Sequence, residues 1–403
     1  MLPSTAFKNT LFVILLSLMA CGRSQPRTTT TQKPGPVVVA ANRTEMYFPL
    51  LEGKEFALVA NQTSVIFTPD GGWVHLADSL LRAGLKLNKV FAPEHGFRGQ
   101  VDAGEKVTDG TDAQTGLPVL SLYGSNRKPK PEQLRGLEMV VFDIQDVGVR
   151  FYTYIATLQL VMEACARDNI PVLVLDRPNP NGHYVDGPVM EPAHRSFLGM
   201  TEIPLVYGMT IGEYARMINE EGWLEGGLRA DLQVIPLGDY SRDQPYELPI
   251  PPSPNLPNAQ AVRLYPSLGL FEGTHVNAGR GTTRQFQCFG APFLQEGHFN
   301  FNYIPTPRPG ARHPKQEGLQ CHGRDLSDVD PPDSVDLKWL LEAYTHRNPE
   351  APFFKTSGFT KHAGTERLQR QIEAGWDAQR IRAAWQSPLA AFKKVREKYL
   401  NYD

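Results

Sequence analysis

From Phe56 onward, short apolar runs alternate with longer stretches whose apolar residues recur at helical spacing. A chain with that texture can bury both kinds of segment by laying helices on a mostly parallel sheet. Phe56-Ala57-Leu58-Val59-Ala60 and residues 87–92, 119–122, 139–144 and 172–175 read as strands. Between the last two, residues 153–168 set Ile155, Leu158, Val161, Met162 and Cys165 on one helical face. Thr210-Ile211-Gly212-Glu213 is a capping-box pattern that opens a further helix through Ile218. Asp70 is a candidate cap for a helix carrying Trp73, Val74, Ala77, Leu80 and Leu81, stopped by Gly84. These patterns predict a doubly wound α/β domain over residues 45–248. The segment Pro249-Ile250-Pro251-Pro252-Ser253-Pro254-Asn255-Leu256-Pro257 can continue neither a helix nor a central strand, and it sets the domain boundary. A smaller α+β domain is expected over 249–403, irregular at first, with helical patterns at 335–346, 364–373 and 378–399.

Ahead of this body, Lys8 precedes an apolar run over residues 11–18 and then Leu18-Met19-Ala20-Cys21. The run is too short to span a bilayer, and a small residue before cysteine is what lipoprotein processing requires. Residues 1–21 therefore read as a lipoprotein signal peptide with Cys21 as the lipidated first residue; an ordinary signal peptide ending in Ala-Cys is the alternative. Either one exports the chain. Gly22 lacks the acidic character of an inner-membrane retention signal, so in a cell with two membranes the expected address is the outer one, facing the periplasm. From Gly22 to Pro36 there is almost nothing to bury, and residues 22–44 are expected to be a disordered tether. The formal net charge of -2 makes no case for nucleic acid, and no later segment approaches a membrane span. Cys165 reads as a buried inert thiol. Export permits a disulfide between Cys288 and Cys321, whose geometry the sequence leaves open.

In open parallel sheets, ligands bind outside the carboxyl ends of the strands, where loops converge and helix N-termini point inward. The polar residues of this chain fall there. Asn61-Gln62-Thr63 follows the first strand, Pro93-Glu94-His95-Gly96-Phe97-Arg98-Gly99 the second and Tyr123-Gly124 the third. Asp143, Gln145 and Asp146 end the fourth, with Arg150, Tyr152 and Tyr154 just beyond; Asp176-Arg177-Pro178-Asn179 ends the fifth. No glycine fingerprint or phosphate-binding loop follows the first strand, and there is no Gly-x-Ser-x-Gly elbow. The 10 histidines form no ligand cluster, and the sequence calls for no cofactor; a metal at Asp143 and Asp146 is a minor alternative.

Carboxylates among aromatics, asparagine and arginine fit glycosidic chemistry, which needs a proton donor and a group that stabilises or captures an oxocarbenium-like centre. Glu94 is the best donor candidate. Pro93 stiffens its backbone, Gly96 and Gly99 permit a sharp loop, and Phe91 and Phe97 could supply apolar surroundings. A helix cap, or a surface glutamate paired with Arg98, is its structural alternative. His95 could order Glu94, contact substrate, or be an ordinary hydrogen-bonded histidine. Asp143 and Asp146 are candidate second carboxylates, or aspartates that bind backbone amides. Asp176 and Arg177 are expected to pair with each other. Glu272 could reach across a cleft, and the loop Gly279-Arg280-Gly281-Thr282-Thr283-Arg284 suits a ligand carboxylate or is simply a solvated turn.

At these segments the chain resembles the NamZ family of exo-acting β-N-acetylmuramidases, from about Phe56 to Tyr402. The carriers are Leu58-Val59-Ala60-Asn61-Gln62-Thr63, the Phe91 to Gly99 string, the string from Phe142 to Tyr154, Asp176-Arg177-Pro178-Asn179-Pro180, Pro252-Ser253-Pro254-Asn255 and Leu270-Phe271-Glu272-Gly273-Thr274. The resemblance implies a Rossmann-like catalytic domain with an auxiliary domain, and removal of N-acetylmuramic acid from the non-reducing ends of peptidoglycan fragments. Glu94 matches the glutamate proposed as catalytic there. Muramic acid carries a lactyl carboxylate, which would give Arg150 or Arg280 a reason to face the cleft. Its 2-acetamido group permits neighbouring-group participation beside the two-carboxylate route.

Overall fold

The apolar runs that predict strands lie side by side in one sheet. The computed structural model describes Met1, residues 35–99 and residues 108–403. Helix α1 (Thr44–Leu51) leads into β1 (Phe56–Ala60), a hairpin of β2 (Val65–Phe67) and β3 (Trp73–His75), α2 (Leu76–Arg82), β4 (Leu87–Ala92), β5 (Gly110–Thr111) and β6 (Pro118–Ser121). Then come α3 (Pro131–Leu134), β7 (Met139–Asp143), α4 (Tyr154–Arg167), β8 (Val172–Leu175), α5 (Ile211–Glu220) and β9 (Leu232–Ile235). The sheet runs β5-β6-β4-β1-β7-β8-β9, parallel throughout except β5 against β6. Numbering only the parallel strands along the chain, this is the order 3-2-1-4-5-6 of a doubly wound dinucleotide-fold sheet, whose progression reverses between β1 and β7.

Strand alternation sorts the core into two layers. Ala57, Val59, Phe91, Val140, Phe142, Val172 and Val174 face one cluster, which includes Leu158, Val161 and Met162 of α4 and Tyr214, Met217 and Ile218 of α5. Their neighbours Phe56, Leu58, Val90, Val141, Leu173 and Leu175 face the other, with Leu51 of α1 and Leu76 and Leu80 of α2. Sheet faces covered on both sides explain why these strands read as continuous apolar runs.

Beyond the proline-rich segment come α6 (Ala259–Leu268), capped by the Asn258 side chain on Ala261 N–H, and an antiparallel sheet in the order β10-β12-β11, made of Cys288–Ala291, Cys321–Asp325 and Phe301–Tyr303. Helices Lys338–Thr345, Thr356–Ala363, Arg367–Glu373, Ala378–Ala383 and Gln386–Arg396 follow. Leu264, Phe271, Phe289, Trp339 and Phe392 join the same hydrophobic cluster as α4 and α5, so the core runs on across the proline-rich segment.

Several expectations are corrected. Asp70 caps no helix: it accepts from Thr68 Oγ1 and Gly72 N–H in the turn of the β2–β3 hairpin, Trp73 and Val74 are strand residues, and α2 begins at Leu76 under the His75 side chain. The tether expected through residue 44 gives way earlier, because Val39, Ala40 and Ala41 are buried and Val38 bridges Gly238. β9 was not foreseen. Cys288 and Cys321 are both free thiols, and in the strand register Cys288 stands opposite Asp325. Cys165 is a buried free thiol whose pKa burial pushes up to about 12. The signal peptide and Cys21 lie outside the described residues.

Candidate active site

Glu94 leaves the end of β4 in a turn closed by Gly96 N–H donating to the Pro93 carbonyl at 3.0 Å. The residue after it, His95, is buried and takes φ of 71°, a left-handed conformation that side-chain-bearing residues adopt at a cost. That turn presents a half-buried carboxylate to a set of hydroxyls. Tyr123, just past β6, donates to Oε1 at 2.9 Å, and Thr153, ahead of α4, donates to Oε2 at 3.3 Å. Tyr154 donates to the Glu94 carbonyl at 3.3 Å. Of the two nearby phenylalanines, Phe91 lies in the buried core and Phe97 stacks edge-on against His75 at 4.7 Å.

Asn61, at the end of β1, uses Oδ1 on Thr63 N–H and Oγ1, and its buried Nδ2 is turned to the Tyr154 phenol. Asp146 accepts from the Tyr207 hydroxyl and from Gly148 N–H through Oδ2, while its buried Oδ1 has no partner. Burial pushes the Asp146 carboxyl up to about 6, although the Tyr207 hydroxyl and the Gly148 amide oppose the shift. Buried polar atoms without partners are few in native interiors. Here an acceptor of that kind, Asp146 Oδ1, and the Asn61 amide belong to residues at the β7 and β1 ends that both act on the Tyr154 phenol.

The remaining carboxylates are committed to the scaffold. Asp143 is fully buried and receives two bonds from Arg177, at 2.6 and 2.8 Å. Burial works against the Arg177 charge, but Asp143 beside it raises its pKa. The expected Asp176–Arg177 pair is therefore replaced by Asp143–Arg177. Asp176 instead accepts from Thr210 Oγ1, Gly212 N–H and the Tyr402 hydroxyl, tying the end of β8 to the start of α5 and to the C-terminal residues. Arg150 is also corrected: it is buried and donates to the carbonyls of Pro188, Ile203, His362 and Ala363, so it does not face the cleft. Arg98 is engaged by Asp112 and Asp78.

From the second half, Tyr265 of α6 packs edge-on against Phe151 at 5.1 Å and Tyr152 at 6.1 Å. Burial first, then the charges of Glu272 and Glu94, push its phenol pKa up, so it keeps its proton. Tyr152 donates to the Pro252 carbonyl at 2.7 Å, which joins the β7 loop to the proline-rich segment. Glu272 lies against Arg280 at 3.1 Å and Lys315 at 3.6 Å. Burial raises its pKa, but Lys315, Arg280 and His362 outweigh that and hold it at about 2. Arg280 also donates to the Gly310 carbonyl, and Asn277 ties the loop by donating to the carbonyls of Arg280 and Lys315.

Of the residues singled out from sequence, Glu94, Asn61, Asp146, Tyr152, Tyr154, Glu272 and Arg280 thus gather around Tyr154 and Tyr265. His95 shapes the Glu94 turn. Asp143, Arg150, Asp176, Arg177 and Arg98 hold the scaffold. Tyr123 was placed at a strand end but given no role, and Thr153, Tyr207, Tyr265 and Lys315 were not singled out. Among the described residues, no group of three or more His, Cys, Asp or Glu side chains could hold a metal ion.

Residues 56–260 match the family model described as exo-β-N-acetylmuramidase NamZ, N-terminal, and residues 263–402 match the corresponding C-terminal model. The chain is 36% identical over 423 residues to the peptidoglycan β-N-acetylmuramidase NamZ of Bacillus subtilis (strain 168), in an alignment covering 98% of this chain and 100% of that protein. Among solved structures, a DUF1343 family protein of Bacteroides fragilis NCTC 9343 is similar with 41% identity and a TM-score of 0.83, covering 92% of this chain and 99% of its own. A second from the same organism has 28% identity and a TM-score of 0.76, over 91% of this chain and 99% of that one.

Proposed function

The chain belongs to the NamZ family of exo-β-N-acetylmuramidases, and from that membership we propose that Glu94 is its principal catalytic carboxylate, releasing N-acetylmuramic acid from non-reducing ends of peptidoglycan fragments. The enzyme is a glycoside hydrolase of the muramidase class. The observation that carries the assignment of Glu94 is its presentation: a carboxylate at the carboxyl end of a central strand, on a strained turn, held by Tyr123 and Thr153. In the proposed step Glu94 gives its proton to the glycosidic oxygen as the bond to C1 breaks.

The second role falls to the substrate's own 2-acetamido group. Its carbonyl oxygen attacks C1 as the leaving oxygen departs; water then opens the cyclic intermediate and returns a proton to Glu94. What supports this route over a carboxylate nucleophile is that Asp143 is bound by Arg177, Asp176 by α5 and Tyr402, and Glu272 by Arg280 and Lys315. Asp146, 4% exposed, is buried among tyrosines. It acts on the site's electrostatics rather than by contact with C1. Arg280 is the candidate partner for the lactyl carboxylate. We further propose export and lipid anchoring at Cys21, which would keep the enzyme beside cell-wall fragments.

The test is release of N-acetylmuramic acid from a muramyl-glucosamine disaccharide by the protein lacking residues before Gly22. Wild type should release the sugar, and Glu94→Gln should bind the disaccharide without releasing it. Tight binding with no release by wild type would instead make the protein a carrier of muropeptides.

A further inference from the structure

The β2–β3 hairpin carries a side chain that the fold does not need. Trp73 is 54% exposed, the most exposed large hydrophobic side chain among residues 35–99 and 108–403. It is nevertheless rigidly mounted. Phe67, its cross-strand partner, exchanges two hydrogen bonds with Asn42, and His75, two residues on, reaches the Asn61 carbonyl at 3.0 Å. The indole forms one wall of a groove of about 460 Å³, within the range of small-ligand sites, whose other walls include Gln62, Arg82, Arg98 and Gln114.

This groove adjoins the loop that carries Glu94. Gln62 is the residue after Asn61, and a Cβ placed on Gly99 would come within 3.1 Å of its side chain, so the Glu94 loop packs directly on it. The Gln62 amide reaches the carbonyls of Pro251 and Pro252, the latter being also the acceptor of Tyr152, and its buried Oε1 has no hydrogen-bond partner. Arg82 is exposed and forms no ion pair among the described residues, whereas Arg98 is held by Asp78 and Asp112.

We infer that this groove is a subsite for the glycan chain on the leaving side of the cleaved bond, with a sugar ring beyond the first leaving residue stacked on Trp73. The inference rests on the exo-acting reading above. An enzyme that removes the terminal sugar from a non-reducing end has further substrate on one side only, so a groove beside its site is placed to take the remaining chain. A pyranose presents an apolar face of C–H groups that an exposed indole covers, while its hydroxyl and acetamido edges need donors and acceptors, which the exposed Gln114 offers through its carbonyl and the N–H not given to Asp78. Arg82 adds a cation where a glycan chain freed of its peptide stems carries a lactyl carboxylate on every second sugar.

The experiment compares wild type, Trp73→Ala and Trp73→Phe on the muramyl-glucosamine disaccharide and on alternating tetrasaccharides and longer chains, reading kcat/KM per chain end. Wild type should gain about tenfold from disaccharide to tetrasaccharide, chiefly through KM, a size expected for one good aromatic stack. Trp73→Ala should abolish the gain and Trp73→Phe keep most of it. No gain in wild type, a gain that survives Trp73→Ala, or an equal loss on short and long substrates would overturn the inference. Calorimetric titration of the same glycans into Glu94→Gln, with and without Trp73→Ala, reads the groove without turnover. If no protein releases sugar yet affinity still rises with chain length in a Trp73-dependent way, the functional reading fails and the groove stands.

Discussion

At the residue scale, the account separates carboxylates that act from carboxylates that hold. Glu94→Gln should lower kcat on the disaccharide by about a thousandfold, the usual worth of a general acid, while Asp146→Asn should cost far less. Asp146 makes its own prediction in pH. Its native pKa of about 6 lies above the ordinary value of 3.8 because burial penalises the charge. The native state therefore keeps a proton that the unfolded chain releases, and the contribution of Asp146 to stability falls as the pH rises from about 4 to about 6. Denaturation of wild type and Asp146→Asn across that window should show wild type losing stability relative to the variant; parallel curves would contradict this. Glu272 has the opposite sign, held at about 2 against an ordinary 4.5, so its stabilisation is present above about pH 4.5 and lost as the pH falls toward 2. Arg177→Met leaves Asp143 buried without its partner and should cost about 3–5 kcal/mol in a denaturant titration. The turn that carries Glu94 was legible because Pro93, Gly96 and Gly99 announce a shaped loop. The role of Arg150 was not, because nothing in a string shows which carbonyls a distant chain will bring to a guanidinium.

At the element scale, the central strands were legible because a parallel strand covered on both faces has no polar side to interrupt it. β9 escaped for the complementary reason: Leu232-Gln233-Val234-Ile235 includes an exposed glutamine, and Leu232 is only half-buried. The β2–β3 hairpin was misread because Trp73, Val74, Ala77, Leu80 and Leu81 satisfy helical spacing across a boundary that only the turn at Asp70 defines. The capping box at Thr210 was read correctly, since both reciprocal bonds form, and its hydroxyl also donates to Asp176. Thr210→Ala should therefore lower stability by about 1–2 kcal/mol, at the upper end for an N-cap, as seen in a shifted thermal midpoint. An unchanged midpoint would mean that Asp176 and α5 are held by Tyr402 and Gly212 alone.

At the scale of the molecule, the site is built by both halves of the chain meeting over one core. Tyr265 and Glu272 come from beyond the proline-rich segment, Glu94 and Asp146 from before it, and the Tyr402 hydroxyl returns to Asp176 under the sheet's carboxyl edge. Sequence located the segment where the texture changes but could not show that the halves share their interior, because a core between distant elements leaves no local pattern. The proposed anchor makes a prediction at the same scale: Cys21→Ser should move the protein from the membrane to the soluble fraction on cell fractionation. The central claim, that Glu94 donates the proton to the leaving sugar, is tested most directly by varying how much that proton is needed. With Glu94→Ala, kcat/KM on the disaccharide should collapse, while on a nitrophenyl muramide, whose leaving group departs without protonation, it should stay within about a hundredfold of wild type. An equal collapse on both substrates would contradict the assignment of Glu94 as the acid.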